Sequence, residues 1–354
     1  METKVNYSQM YTKLTRGLSP KTKDIFDRRF GVKKSNTIKP GKGQVVTIET
    51  LESIGKSLGI TRERVRQIEE AGFTYIRKNN KEALEATFRD FEVYFAANGG
   101  FKKEETVLED LGGKNNKPYV LFLLTIGNQF YRVCGKKDYH YFWSTISGAE
   151  RAVKEKLAAL EGDIENHGNL LTHQELSAQF AVKHNLDTPT LASYLDISKN
   201  IQKNKEGKIG LATWPEIRPR GVKDKAFLVF KKHQKPLHFR QITQLIDTLE
   251  SNQSSKKTHP QTVHNELIKD QRFVLVGRGM YALSEWGYKP GTIKDVIATV
   301  LKEKPHLASQ DEIVKEVLSQ RLVAKNTVLI NLNNKKYFQK NPEGKYFALE
   351  SQTA

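Results

Sequence analysis

Residues 50–78 read TLESIGKSLGITRERVRQIEEAGFTYIRK, and this stretch decides the first part of the fold. Leu51, Ile54 and Leu58 recur at i, i+3 and i+7, one apolar stripe of a helix. Gly59 supplies a sharp turn, and Thr61 is placed to N-cap a second helix. In that second helix Val65, Ile68, Gly72 and Ile76 share one side of the wheel, while Glu63, Arg66, Gln67 and Glu70 lie opposite. The spacing predicts a helix-turn-helix whose second helix is charged outward. Arg62 stands at that helix's N-terminus, where recognition helices meet base edges. Arg, Glu and Gln are the side chains that read guanine, cytosine and adenine in a major groove.

The same string resembles region 4 of bacterial primary sigma factors. The likeness begins at Leu18-Ser19-Pro20 and passes through Arg28-Arg29-Phe30-Gly31, covering about 60 of 354 residues. The resemblance implies that Arg62, Glu63 and Gln67 contact bases of a promoter −35 element. It implies further that Arg64, Arg66, Arg29, Thr50 and Lys56 lie near phosphates or activator surfaces, and that the domain docks on the flap of core RNA polymerase. Two departures stand out: a long loop from Val32 to Glu49 holding Pro40, Gly41 and Gly43, and Gly72 where the family prefers Ala. In a helix interior that glycine costs roughly 1 kcal/mol.

The net charge is +18 and the pI near 9.6. Residues 1–80 hold 17 Lys and Arg against 8 Asp and Glu, so half the excess surrounds the expected DNA reader. A single cysteine, Cys134, excludes an internal disulfide and a zinc ribbon; its expected place is a strand, as a small buried side chain. No apolar leader opens the chain, and the longest apolar run, Tyr119 to Leu124, is too short to span a bilayer. A cytoplasmic, nucleoid-associated protein with no membrane partner is expected.

Beyond residue 80 the chain repeats itself. A helix carrying Leu84, Phe88, Phe91 and Phe95 ends at Gly99-Gly100. Four strand–turn–strand pieces come after it at 130–143, 201–214, 273–286 and 337–350, three of them closed by Trp143, Trp214 and Trp286. Helices are expected at 150–161, 172–184 and 188–196, at 222–232, 238–250 and 260–270, and at 291–303, 309–320 and 325–333. Helix–helix–helix–hairpin is the order of a winged helix, and self-similarity at about 70 residues argues for an array. Residues 235–242, 262–267 and 273–286 resemble the HARE-type winged helix, a family that includes the N-terminal domain of the RNA polymerase delta subunit. This chain has no acidic tail of the delta kind.

The expected fold is therefore mainly α: a sigma region 4-like helix-turn-helix followed by tandem winged helices with small β-hairpin wings. The expected divisions are a tail at 1–17, the reader at 18–80, a linker helix with a degenerate unit at 81–147, and units at 148–219, 220–288 and 289–354. Leu245, Leu267, Phe273, Val276 and Tyr281 should form much of the HARE-type core.

Other signals read as structure. Gly277-Arg278-Gly279 lacks the third glycine of a phosphate loop and is better taken as a wing turn, with Arg278 a candidate groove or phosphate contact. Asp196 with Glu206-Gly207-Lys208 loosely fits a metal-dependent nuclease spacing, but Glu343-Gly344-Lys345 repeats the turn elsewhere. His238 and His264 are expected to cap or pack, and Tyr139, Tyr141 and Trp143 to pack a wing rather than stack bases. No catalytic set, metal, cofactor or small-molecule site is expected. The function expected is promoter-directed transcription regulation on double-stranded DNA, with RNA polymerase as a partner. A sequence-tolerant architectural protein and a restriction-type nuclease subunit are the alternatives.

Overall fold

Side-chain caps set the helix starts in the first quarter of the chain. Asn6 caps α1 (Tyr7–Leu14), Ser19 caps α2 (Pro20–Phe30), Thr50 caps α3 (Leu51–Leu58) and Thr61 caps α4 (Arg62–Asn79). Each cap oxygen accepts from the backbone N–H three residues on. The computed structural model describes residues 6–33, 48–250, 257–303, 309–341 and 345–349. Pro40, Gly41 and Gly43 of the long loop, Gly344 and its neighbour Glu343 lie outside them. The chain forms two compact units, Met1–Thr213 and Trp214–Ala354.

In the first unit α3 and α4 close a small core of Ile25, Ile54 and Val65, with Leu51, Leu58, Ile60 and Ile68 packed on it. Gly55 makes the tight turn possible: a Cβ there would lie 2.7 Å from the Ile60 carbonyl oxygen. Residues 1–17, expected to be a tail, contain α1, with Tyr11 and Leu14 buried. The Tyr11 hydroxyl donates to Asp27 Oδ1 at 2.7 Å, so a polar pair anchors α1 to α2.

The expected linker helix and degenerate winged-helix-like unit contain five further elements beside that helix. α5 (Lys81–Ala96), β1 (Phe101–Lys103), α6 (Glu104–Gly112), α7 (Lys117–Ile126), β2 (Tyr131–Val133) and β3 (Phe142–Ser144) form a full winged helix. Its antiparallel sheet has the order β1-β3-β2, and Trp143 faces both Lys102 and Arg132 across it. The helix taken for a linker is its first helix. Cys134 lies just past β2 and is exposed, not buried, because the chain has already left the ladder there.

The next unit repeats the order: α8 (Ala149–His167), α9 (His173–Leu176), a π-turn at Ser177–Ala181, α10 (Val182–His184), α11 (Thr188–Ile197), β4 (Ile201–Lys203) and β5 (Ile209–Leu211). An antiparallel bridge from Leu171 to Ile209 stands where β1 pairs β3 in the unit before. Asp187 caps α11 and Pro189 sits in its first turn.

The second compact unit holds two further copies. The first comprises α12 (Gly221–His233), β6 (Leu237–His238), α13 (Phe239–Glu250), α14 (Pro260–Lys269), β7 (Phe273–Gly277) and β8 (Met280–Leu283), with sheet order β6-β8-β7. The second comprises α15 (Ile293–Glu303), α16 (Gln310–Gln320), α17 (Lys325–Leu332), β9 (Phe338–Lys340) and β10 (Tyr346–Ala348). In the first copy Leu267, Phe273 and Tyr281 join the core and Leu245 packs on it half-buried. Val276 is buried but belongs to the other sheet face, with Val274 and Ala282, because alternate strand residues point to opposite sides.

Two third helices are spent on packing. α7 buries Val120, Leu121, Phe122, Leu123, Leu124 and Ile126, so it is apolar nearly all round. The Phe122 ring meets Tyr11, Phe26, Phe30 and Phe73 at centroid distances of 4.9, 5.5, 5.3 and 6.0 Å. The sigma-like helices and the first winged helix thus share one core. α11 is laid against β1: Tyr194 packs on Phe101 at 4.7 Å, and Ser193 Oγ donates to the Asn98 carbonyl at 2.9 Å. Neither helix keeps a free face broad enough for a DNA groove.

Candidate nucleic-acid interface

α4 presents Arg62, Glu63, Arg64, Arg66 and Gln67 to solvent, while Val65, Phe73 and Ile76 face inward. The sequence-predicted base readers Arg62, Glu63 and Gln67 are therefore all exposed in the first two turns of the helix. In the free protein these side chains hold one another. Arg66 Nε and Nη2 donate to the Glu63 carboxylate at 3.0 and 2.8 Å, and Arg64 Nη1 donates to Gln67 Oε1 at 3.2 Å. The bonds from Arg66 keep the Glu63 carboxyl below its usual range, so it is a carboxylate acceptor at neutral pH. Exposed pairs of this spacing contribute little to stability, and a phosphate or base edge displaces them at small cost.

The platform beneath is rigid. Arg28 Nε and Nη2 grip Glu49 at 3.1 and 2.6 Å, and Arg28 Nη1 donates to Ser57 Oγ at 2.8 Å. That clamp fixes the entry to α3 from α2. Sequence reading quoted Arg28 only as part of a family string; its position one residue before Arg29, with Glu49 at the entry to α3, was the available signal. Arg29, expected near phosphates, is turned inward: Nη1 donates to the Glu49 carbonyl at 3.0 Å and Nε lies 3.5 Å from Glu69. Burial pushes the Glu69 carboxyl up, and Arg29 opposes that shift. Thr50 serves as the α3 cap, and Lys56 pairs with Glu52 at 2.9 Å on the outer face of α3. Thr50, Ser53, Lys56 and Ser57 line a shallow hollow there.

In the second unit α14 buries only Val263 and Leu267. The wing tip between β7 and β8 carries exposed Arg278, next to Gly279 at φ +70°, the left-handed conformation a tight hairpin turn needs. His264 packs on Phe239 at 4.8 Å and meets the Tyr281 hydroxyl at 3.1 Å, and His238 Nδ1 accepts from the Arg240 N–H. Both histidines have packing and capping roles.

Residues 16–78 match the family model for sigma-70 region 4. Residues 220–286 match the model for the HARE-HTH domain, a helix-turn-helix domain described for ASXL and restriction endonucleases. The chain joins a sigma region 4 domain to a HARE-HTH domain. Both are DNA-binding types, and DNA binding in a transcription-related role follows for the chain that carries them.

The remaining sequence signals fall to local structure. Asn204 Oδ1 accepts from the Glu206 and Lys208 N–H groups at 2.9 Å each, and Asn341 Oδ1 accepts from the Lys345 N–H at 2.7 Å. An Asx turn thus shapes the Glu206-Gly207-Lys208 segment. Asp196 accepts from Thr106 Oγ1 at 2.5 Å. Tyr139 and Trp143 are buried, and Tyr141 lies under the Arg132 guanidinium at 5.2 Å. Among the described residues no group of three or more His, Cys, Asp or Glu side chains is placed to hold a metal. No described helix is long and apolar enough to cross a membrane.

Proposed function

We propose that the protein regulates transcription by reading promoter-type double-stranded DNA with α4 and by contacting RNA polymerase. The observation that carries this is the uncovered α4 face, where Glu63 and Gln67 stand opposite the buried stripe and Arg62 is exposed at the helix N-terminus. In this reading Arg62 and Gln67 supply bidentate contacts to guanine and adenine, and Glu63 accepts from cytosine N4. Arg64, Arg66 and Lys56 hold phosphates, and the Thr50 N–H region anchors the backbone. Arg29 serves indirectly, by holding the Glu49 backbone that leads into α3. The polymerase contact follows from the sigma-like domain, with the flap as the surface engaged.

The protein acts without catalysis of its own in this proposal, in the cytoplasm and on the nucleoid. It works on polymerase already loaded with a complete sigma factor, by adding contacts or by competing for the −35 element or the flap. Two measurements test it together: co-purification of core polymerase, and footprinting on duplexes with and without a −35-type element. No retention of polymerase combined with indifference to the −35 sequence would overturn the proposal and favour an architectural role.

A further inference from the structure

The HARE-type domain differs from the two winged helices of the first unit in one respect. Among the described residues its third helix is uncovered. Val263 and Leu267 alone are buried on α14, and the opposite face shows Gln261, Thr262, Asn265, Ile268 and Lys269, all exposed. On a 3.6-residue wheel Asn265 stands diametrically opposite the buried pair, with Gln261 and Ile268 on one side and Thr262 and Lys269 on the other. No carboxylate shares this face. Ile268 is 62% exposed, an unexpected place for a large aliphatic residue on a polar surface.

That set of side chains is the chemical complement of one base pair. In the major groove adenine shows an acceptor, N7, beside a donor, N6, and thymine shows its C5-methyl group. An asparagine amide pairs with adenine through both atoms, and an aliphatic side chain takes the methyl. Gln261 Nε2 donates to Asn265 Oδ1 at 3.1 Å. This bond fixes the Asn265 amide while leaving Nδ2 and the second Oδ1 lone pair for a base. Lys269 adds a cation for phosphate at the far end of the same face.

We propose that α14 is a second base-reading helix of this protein, with a preference for A·T pairs set by Asn265, Gln261 and Ile268. The proposal does not depend on α4 reading a −35 element, because the two helices belong to different compact units.

The test selects bound sequences from random duplex DNA with the full-length protein. Wild type should return two separable motifs, one of them containing A·T pairs preferred on the order of tenfold over G·C. Gln261→Ala with Asn265→Ala should erase the A·T motif and keep the other, whereas Gln67→Ala should keep the A·T motif and relax the other at one or two base pairs. Replacing the preferred thymine by deoxyuracil removes only the methyl group. It should weaken wild type and leave Ile268→Ala unaffected. All the substituted residues are exposed, so folding is expected to survive and is checked by circular dichroism. An unchanged A·T motif in the double variant overturns the proposal, as does a wild-type second motif lacking A·T pairs or the absence of any second motif. Loss of the α4 motif alone in wild type would sink the promoter reading and leave this one standing.

Discussion

At the scale of single residues the proposed reading separates two kinds of contact on the α4 face. Gln67 has an amide able to read adenine, while Arg66 carries only a charge and a fork of donors. We predict that Gln67→Ala relaxes preference at one or two base pairs by about 1–3 kcal/mol. Arg66→Ala should weaken all sequences alike and lower the salt slope by about one. Binding isotherms on a panel of duplexes at several salt concentrations check both, and equal losses on every sequence for both variants would remove the assignment. Gly72 gives a second residue-scale prediction. A Cβ there would lie 2.7 Å from Phe26 Cζ and 2.8 Å from Thr22 Cγ2. Phe26 has little freedom to withdraw, since it stacks on Phe73 at 4.9 Å and meets Phe122 at 5.5 Å. Gly72→Ala should therefore destabilise the domain, because overpacking costs about 1–3 kcal/mol and outweighs a helix gain of about 1 kcal/mol. A higher denaturation midpoint for the alanine variant would show that the contact relaxes.

At the scale of elements, third helices with the same place in the winged-helix order differ in what they bury: α7 is apolar nearly all round, whereas α14 buries only Val263 and Leu267. α7 has exchanged a polar face for an apolar one and serves as the wedge between the sigma-like helices and the first winged helix. Phe122→Ala should cost about 3–5 kcal/mol and lower the denaturation midpoint of the whole first unit, with DNA affinity falling as α2 and α4 loosen. A variant as stable as wild type would show that the shared core contributes little. In the HARE-type domain Arg272 ties the α14–β7 turn to α12, lying 2.7 Å from Asp270 and 2.9 Å from Asp224. Hydrogen bonds from Arg272 hold the Asp270 carboxyl below its usual range. A depressed carboxyl stabilises the fold above the unfolded pKa, near 3.9, and that contribution disappears as pH falls through the lower folded value. The Tm advantage of wild type over Asp270→Asn should be full at pH 6 and shrink below about pH 4. A difference independent of pH would assign the effect to packing.

At the scale of the whole molecule, the protein is expected to bind promoter duplex and not to open it. Opening requires exposed groups that capture unstacked bases, and aromatic clusters are the usual means. The aromatic clusters of the first unit lie in its core, and the exposed aromatics Tyr75, Tyr131 and Phe347 are scattered through the chain. With core polymerase and a linear promoter, permanganate should find no reactive thymines unless a complete sigma factor is added. Reactive thymines near a start site without one would reveal a melting function in this chain.

The residues from 50 to 78 determined the helix-turn-helix by themselves, because that motif is local: caps, a left-handed glycine and a 3.6-residue apolar stripe are all written within 30 positions. Helices such as α12, α14, α16 and α17 were legible for the same reason, and the wings were legible from their turn glycines and tryptophans. A three-residue strand carries no readable period, so β1 and its pairing with β3, some 40 residues on, were invisible until the chain closed on itself. That pairing turned a supposed linker into a winged helix. The continuous apolar run in α7 was visible as composition, but only the rings gathered around Phe122 showed that it is a buried wedge and no reader. Arg29 shows the same dependence: the sequence placed a cation beside the helix-turn-helix, and only the structure showed it turned inward to Glu49 and Glu69. Which face of a helix is covered depends on elements far away in the chain, and local periodicity contains no information about them.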